Sequence, residues 1–112
     1  CAVTNMHLFP FVRPDVIVRD CARALAFLHA RAADFGCDGE RLFVMGHSSG
    51  AHLAAWLCLD QRQLEAVSVP TEALRGALLL SGVYDVRARH PLLDAVFGHD
   101  AELRREASPF RY

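Results

Sequence analysis

Gly46-His47-Ser48-Ser49-Gly50 sets a serine in the Gly-x-Ser-x-Gly pattern, and the chemistry such a serine can do is attack on a carbonyl carbon. A hydroxyl is a poor nucleophile near neutral pH until a base takes its proton, and the oxyanion that forms needs N–H donors aimed at it. Five residues match by chance often, so the flanks decide. Arg41-Leu42-Phe43-Val44-Met45 is a short apolar run of strand type, and Ala51-His52-Leu53-Ala54-Ala55-Trp56-Leu57 opens a helix with small residues. Ser48 is therefore expected at a strand-to-helix turn in a strained backbone conformation. The residues two before and two after it must be small enough to let strand and helix pass closely, a need that Gly46 and Gly50 meet. The backbone N–H of Ser49, first in the new helix, would point toward the oxyanion.

The elements that must hold this turn are legible in the periodicity. Val16, Ile17, Cys21, Ala24, Leu25, Leu28 and Ala32 recur at helical spacing and predict a helix over Pro14 to Phe35, opened by Pro14 and ended by Gly36. Gly36 to Glu40 reads as a tight turn into the Leu42 to Met45 strand, and the helix after Ser48 is expected to run to about Leu64. Gly76-Ala77-Leu78-Leu79-Leu80-Ser81-Gly82 is a continuous apolar run, the signature of a strand buried on both faces of a parallel sheet. Leu92 to Phe97 and Ala101 to Glu106 read as helical, and Cys1 to Thr4 as the end of a further strand. The expected class is α/β, with a parallel sheet of about three strands flanked by helices.

Composition bounds the rest. A chain of 112 residues is one domain at most, and 53% apolar residues can supply a core. The net charge of -1 gives no reason to expect nucleic acid or an anionic membrane as partner. All twelve basic residues are arginine, scattered along the chain, so no basic patch is expected. No run approaches the length of a membrane span. Cys1, Cys21, Cys37 and Cys58 show neither CxxC nor paired-His spacing, which argues against zinc and for reduced, mostly buried thiols of a cytoplasmic protein.

Taken together, the loop ending in Pro10, the helix Pro14 to Phe35, the turn around Asp38, GHSSGAHLAA from Gly46 to Ala55, LSGVYDV from Leu80 to Val86 and FGHDAELRREASP from Phe97 to Pro109 resemble the α/β-hydrolase fold. Within it they are similar to the esterase group of hormone-sensitive-lipase-type carboxylesterases and kynurenine-formamidase-like hydrolases. The resemblance runs nearly end to end. It implies a serine hydrolase that cleaves a small-molecule carboxylic ester through an acyl-enzyme on Ser48, with no metal or organic cofactor. Amide hydrolysis of the formamidase kind, and a non-catalytic binding protein of the same fold, are the alternatives. The resemblance further implies a glycine-rich oxyanion loop upstream, and an acid and a histidine downstream in the order Ser, Asp or Glu, His. None of these is found here, so residues 1–112 are expected to be the central segment of a larger domain. Oligomeric state is left open.

Other residues are weighed against that expectation. Asp85 is the alternative acid, because it follows the Leu78 to Ser81 strand at its C-terminal end, where functional residues of an open parallel sheet collect; the GVYD motif assigns it a structural or pocket-lining role. Tyr84 lines a pocket or packs. His47 and His52 read as packing residues, the latter hydrogen-bonded to a neighbouring loop. His90 and His99 come before the usual acid and histidine positions, and Ser108-Pro109 reads as a turn that shapes the following loop.

Overall fold

The computed structural model describes all 112 residues. Helix α1, Pro14–Arg31, begins with Pro14 in its first turn and Asp15 near its positive end, carries His29 and Arg31 at its negative end, and turns the Ile17, Val18, Ala22 and Leu25 stripe inward. It tightens into a 3-10 turn, Ala32–Phe35, and stops at Gly36, whose φ of 67° is the left-handed conformation that closes helices. Strand β1, Leu42–His47, follows, then α2, Ser49–Leu59, the short α3, Arg62–Glu65, and strand β2, Leu74–Leu80. Two further helices, α4, Pro91–Phe97, and α5, Ala101–Glu106, complete the chain with a 3-10 turn at Pro109–Arg111. The helix expected to run on to Leu64 breaks at Asp60, where the backbone leaves the helical region.

The sheet has two strands and not about three: β1 and β2 pair in parallel, Val44 opposite Ala77 and His47 opposite Leu80. Cys1 to Thr4 forms no ladder, so it has no strand character here. Helix α2 connects the strands and lies on one sheet face, with α1 packed against it. Every residue from Ala51 to Leu57 is buried, so α2 is the axis of the core. Leu53, Trp56 and Leu57 meet Val18 and Leu25 of α1, Leu64 of α3, and Val69, Val86 and Phe97 from the following segments. The other sheet face is open. Phe43, Met45, Leu78 and Leu80 are 66, 69, 54 and 45% exposed, so β2 is not buried on both faces as its apolar run suggests; within these residues nothing packs on that side.

The break after α2 is itself a built feature. Asp60 is buried, and its carboxylate accepts from Arg62 Nε at 2.7 Å, Arg62 Nη2 at 2.9 Å, Gln63 Nε2 at 3.0 Å and the Tyr112 hydroxyl at 3.2 Å. Burial pushes the Asp60 carboxyl up, but the hydrogen bonds from Arg62, Gln63 and Tyr112 outweigh it and hold the group below its ordinary 3.8. The four cysteines are free, with Cys1 and Cys37 exposed and Cys21 and Cys58 half-buried. The expectation of mostly buried thiols thus fails, because two of them lie on exposed loops.

A carboxyl depressed in the folded state adds stability above its unfolded pKa, and that contribution is lost as pH falls through the folded value. Asp60→Asn, in the protein expressed from its complete reading frame, should cost about 2 kcal/mol near neutral pH. In urea unfolding the gap to wild type should close only below pH 3.8. An equal gap at pH 7 and pH 3 would show that the charge contributes nothing.

The strand-helix crossing gives a second expectation. A Cβ added at Gly46 would overlap the Gly50 carbonyl and lie 2.6 Å from Ala51 N, whereas one added at Gly50 meets nothing within 4 Å. Only the first glycine is forced by packing: Gly50 brings its carbonyl to the crossing and turns its Cα away. Gly46→Ala should therefore destabilise by about 2–4 kcal/mol, while Gly50→Ala, at a helical position, should be neutral or slightly stabilising. Denaturant midpoints of the two variants check this; a tolerated Gly46→Ala would mean the crossing is loose.

Candidate active site

Ser48 has φ 54° and ψ -119°, a conformation that costs a non-glycine residue about 1–3 kcal/mol and persists only where the surroundings impose it. They do so from both sides. The Ser48 N–H donates to the Leu80 carbonyl at 2.8 Å, extending the parallel ladder one residue past β1, and the Ser48 carbonyl accepts from Ala51 N and His52 N, both at 3.1 Å, starting α2. The serine is thus pinned by the sheet before it and the helix after it. Its side chain is exposed, and its hydroxyl makes no hydrogen bond. Ser49 is the first residue of α2, so its N–H has no carbonyl within the helix to bond and lies at the positive end of the helix dipole.

The second strand ends the same way. Ser81, one residue past the Leu80 that receives the Ser48 N–H, has φ 53°. Two strained serines therefore stand together where the parallel strands end, the region in which open sheets place functional groups. Sequence reading missed Ser81; the signal was Ser-Gly directly after an apolar strand. Beyond it, Gly82 lies against the Tyr84 ring, and Tyr84 remains half-buried, with its carbonyl accepting from Phe110 N at 2.9 Å.

The histidines take distinct places. His52, 6% exposed, forms a 2.6 Å bond between Nδ1 and the Val83 carbonyl, so the proton is on Nδ1 and the helix is clipped to the loop after β2. Burial lowers its pKa against the pull of that carbonyl, which keeps it neutral. His47 alternates with Val44 and Gly46 and lies exposed on the open sheet face. His90 caps α4, its Nδ1 accepting from Leu92 N at 3.2 Å, and His99 stands 4.0 Å from Asp94. None is hydrogen-bonded to Ser48.

Asp85 stands after β2 with its carboxylate committed to Arg87, whose Nε and Nη2 donate at 2.8 and 2.7 Å and whose backbone N–H adds a third bond at 3.0 Å. The Arg87 side chain, then its backbone N–H, hold the carboxyl at about 2. Both oxygens face arginine, and no histidine contacts them. Ser108, fully buried, organises this loop: its hydroxyl donates to the Arg104 carbonyl at 2.7 Å and accepts from Val86 N at 3.0 Å. No cluster of three His, Cys, Asp or Glu side chains gathers as a metal site, and no helix is long and apolar enough to cross a membrane.

Comparison with known proteins agrees with this geometry. A family described as alpha/beta hydrolase fold matches residues 7–109. The isoprenylcysteine alpha-carbonyl methylesterase of Arabidopsis thaliana is 32% identical over 89 residues, covering 76% of this chain and 21% of that protein. A probable isoprenylcysteine alpha-carbonyl methylesterase of the same plant is 29% identical over 90 residues, covering 76% of this chain and 19% of its own length. A probable one from Oryza sativa subsp. japonica is 40% identical over 60 residues, 54% of this chain and 14% of that protein. The chain spans about a fifth of the length of the first two relatives. A strained serine between a parallel strand and a helix N-terminus, in a sequence matched over residues 7–109, places the chain in the α/β-hydrolase-fold family.

Proposed function

We propose that this chain is the nucleophile-bearing segment of a serine hydrolase that cleaves a carboxylic ester of modest size, with Ser48 as the nucleophile and the Ser49 N–H as one oxyanion donor. The backbone of Ser48 carries the reading: a strained, exposed serine with a free hydroxyl, held by Leu80 on one side and α2 on the other. The hydroxyl attacks the ester carbonyl, a base takes its proton, and the oxyanion collapses to an acyl-enzyme with loss of the alcohol; water then releases the acid. The methylesterase names of the relatives favour an ester of a small alcohol. The open apolar sheet face and the unpaired strand edges support a place inside a larger domain that supplies the base. Asp85 would hold the loop wall through Arg87; its use as the triad acid would require a histidine to displace that arginine.

The protein from the complete reading frame should be labelled by a fluorophosphonate and hydrolyse a small activated aryl ester. Ser48→Ala should lose the label and at least about 1,000-fold in kcat. In the 112-residue chain alone, where no base touches Ser48, wild type and Ser48→Ala should turn over the ester equally slowly. Labelling that survives Ser48→Ala would remove this serine from the reaction, and absence of any label on a folded protein would favour a binding role for the fold.

A further inference from the structure

Positive charge that is scattered in sequence converges in space. Arg87 and Arg89 lie on the loop after β2 and Arg104 and Arg105 on α5, and with His99 and Ala101 they line a cleft of about 280 Å³. The absence of a basic patch expected from sequence is therefore corrected here, since the fold brings together two arginine pairs that stand apart in the chain. Every polar side chain lining the cleft is an arginine or a histidine.

Arg104 is the fixed part. It is 3% exposed, with Nε donating to the Gly98 carbonyl at 2.7 Å, Nη1 to the Val86 and Ala88 carbonyls at 3.2 and 2.9 Å, and Nη2 to Asp94. The other three guanidinium groups are each met by a carboxylate on one edge only. Arg87 gives Nε and Nη2 to Asp85, Arg105 gives the same two nitrogens to Glu102, and Arg89 places Nη2 3.2 Å from Asp94. Nη1 of each is left without a protein partner. Those carboxylates are not part of the cleft lining, and Asp100, beside His99, accepts through Oδ1 from Glu102 N and Leu103 N at the start of α5. Arg87 and Arg105 are thus held by bidentate pairs with N–H donors to spare, which is how guanidinium groups are pre-organised for an oxyanion, while Arg89 has the single Asp94 contact.

We propose that this cleft binds a multiply charged oxyanion, such as the phosphate group of a small molecule. Binding there does not require hydrolysis at Ser48, although Arg87 also braces the loop after β2 through Asp85. The test uses the protein from its complete reading frame, titrated with inorganic phosphate against chloride at constant ionic strength, with thermal unfolding and titration calorimetry as readouts. Arg89→Gln/Arg105→Gln removes two cleft donors; Arg23→Gln/Arg31→Gln removes the same charge from the exposed side of α1. Wild type and the α1 variant should show saturable heat and a saturable rise in Tm, and the cleft variant should bind at least about tenfold more weakly. Phosphate also raises Tm non-specifically by exclusion from the protein surface. An equal, non-saturating rise in all three proteins, or no saturable heat in wild type, would overturn the site.

Discussion

Strand β1 and helix α2 approach so closely at Gly46 that a single methyl group would overlap the Gly50 carbonyl, and most of the structure follows from this approach. Because the backbone must reverse from strand to helix within one residue, Ser48 is driven into a conformation that a side chain ordinarily avoids. The strain is tolerable because the same residue closes two hydrogen-bonded systems, donating to β2 through its N–H and accepting from the first turn of α2 through its carbonyl. Helix α2 is held against the sheet in turn by being buried all round from Ala51 to Leu57. A helix with no polar face cannot shift toward water to relieve the crossing.

The part of the fold with short-range causes was legible in the sequence. The α1 stripe, the Pro14 start and Gly36 stop, the two short helices from Pro91 onward and the strand-turn-helix about Ser48 are all local patterns. What was not legible depends on distant partners. The break at Asp60 reads as uninterrupted helix until Arg62, Gln63 and Tyr112 are seen to converge on its carboxylate. The asymmetry between Gly46 and Gly50 is invisible in a symmetrical motif, because it arises from which atom of each residue faces the crossing. At the candidate site, the strained strand-to-helix turn at Ser48 was legible from its flanks. The left-handed conformation of Ser81 and the arginine fork on Asp85 were not, since each is imposed by the loop in which it lies.

That loop is ordered by polar contacts more than by apolar ones. Residues 82–90 carry one fully buried apolar side chain, Val86. The backbone on either side of it is taken up by buried polar groups: Ser108 holds the Val86 N–H, and Arg104 holds the Val86 and Ala88 carbonyls. At the other end His52 holds the Val83 carbonyl. A loop fixed in this way keeps its shape with little apolar packing of its own.

The 2.8 Å bond from the Ser48 N–H to the Leu80 carbonyl also bears on the order of events in folding. The two residues are far apart in sequence, and closing that separation carries an entropic cost that local turns do not. Helix α2 can begin from its own residues, but half of the restraint on Ser48 arrives only with β2. A nascent chain that has emerged only as far as α3 does not yet contain the Leu80 carbonyl that restrains Ser48. The strained backbone on which the proposed role of Ser48 rests is completed only after Leu80 has docked, so it is a late product of assembly, although its five-residue motif is contiguous.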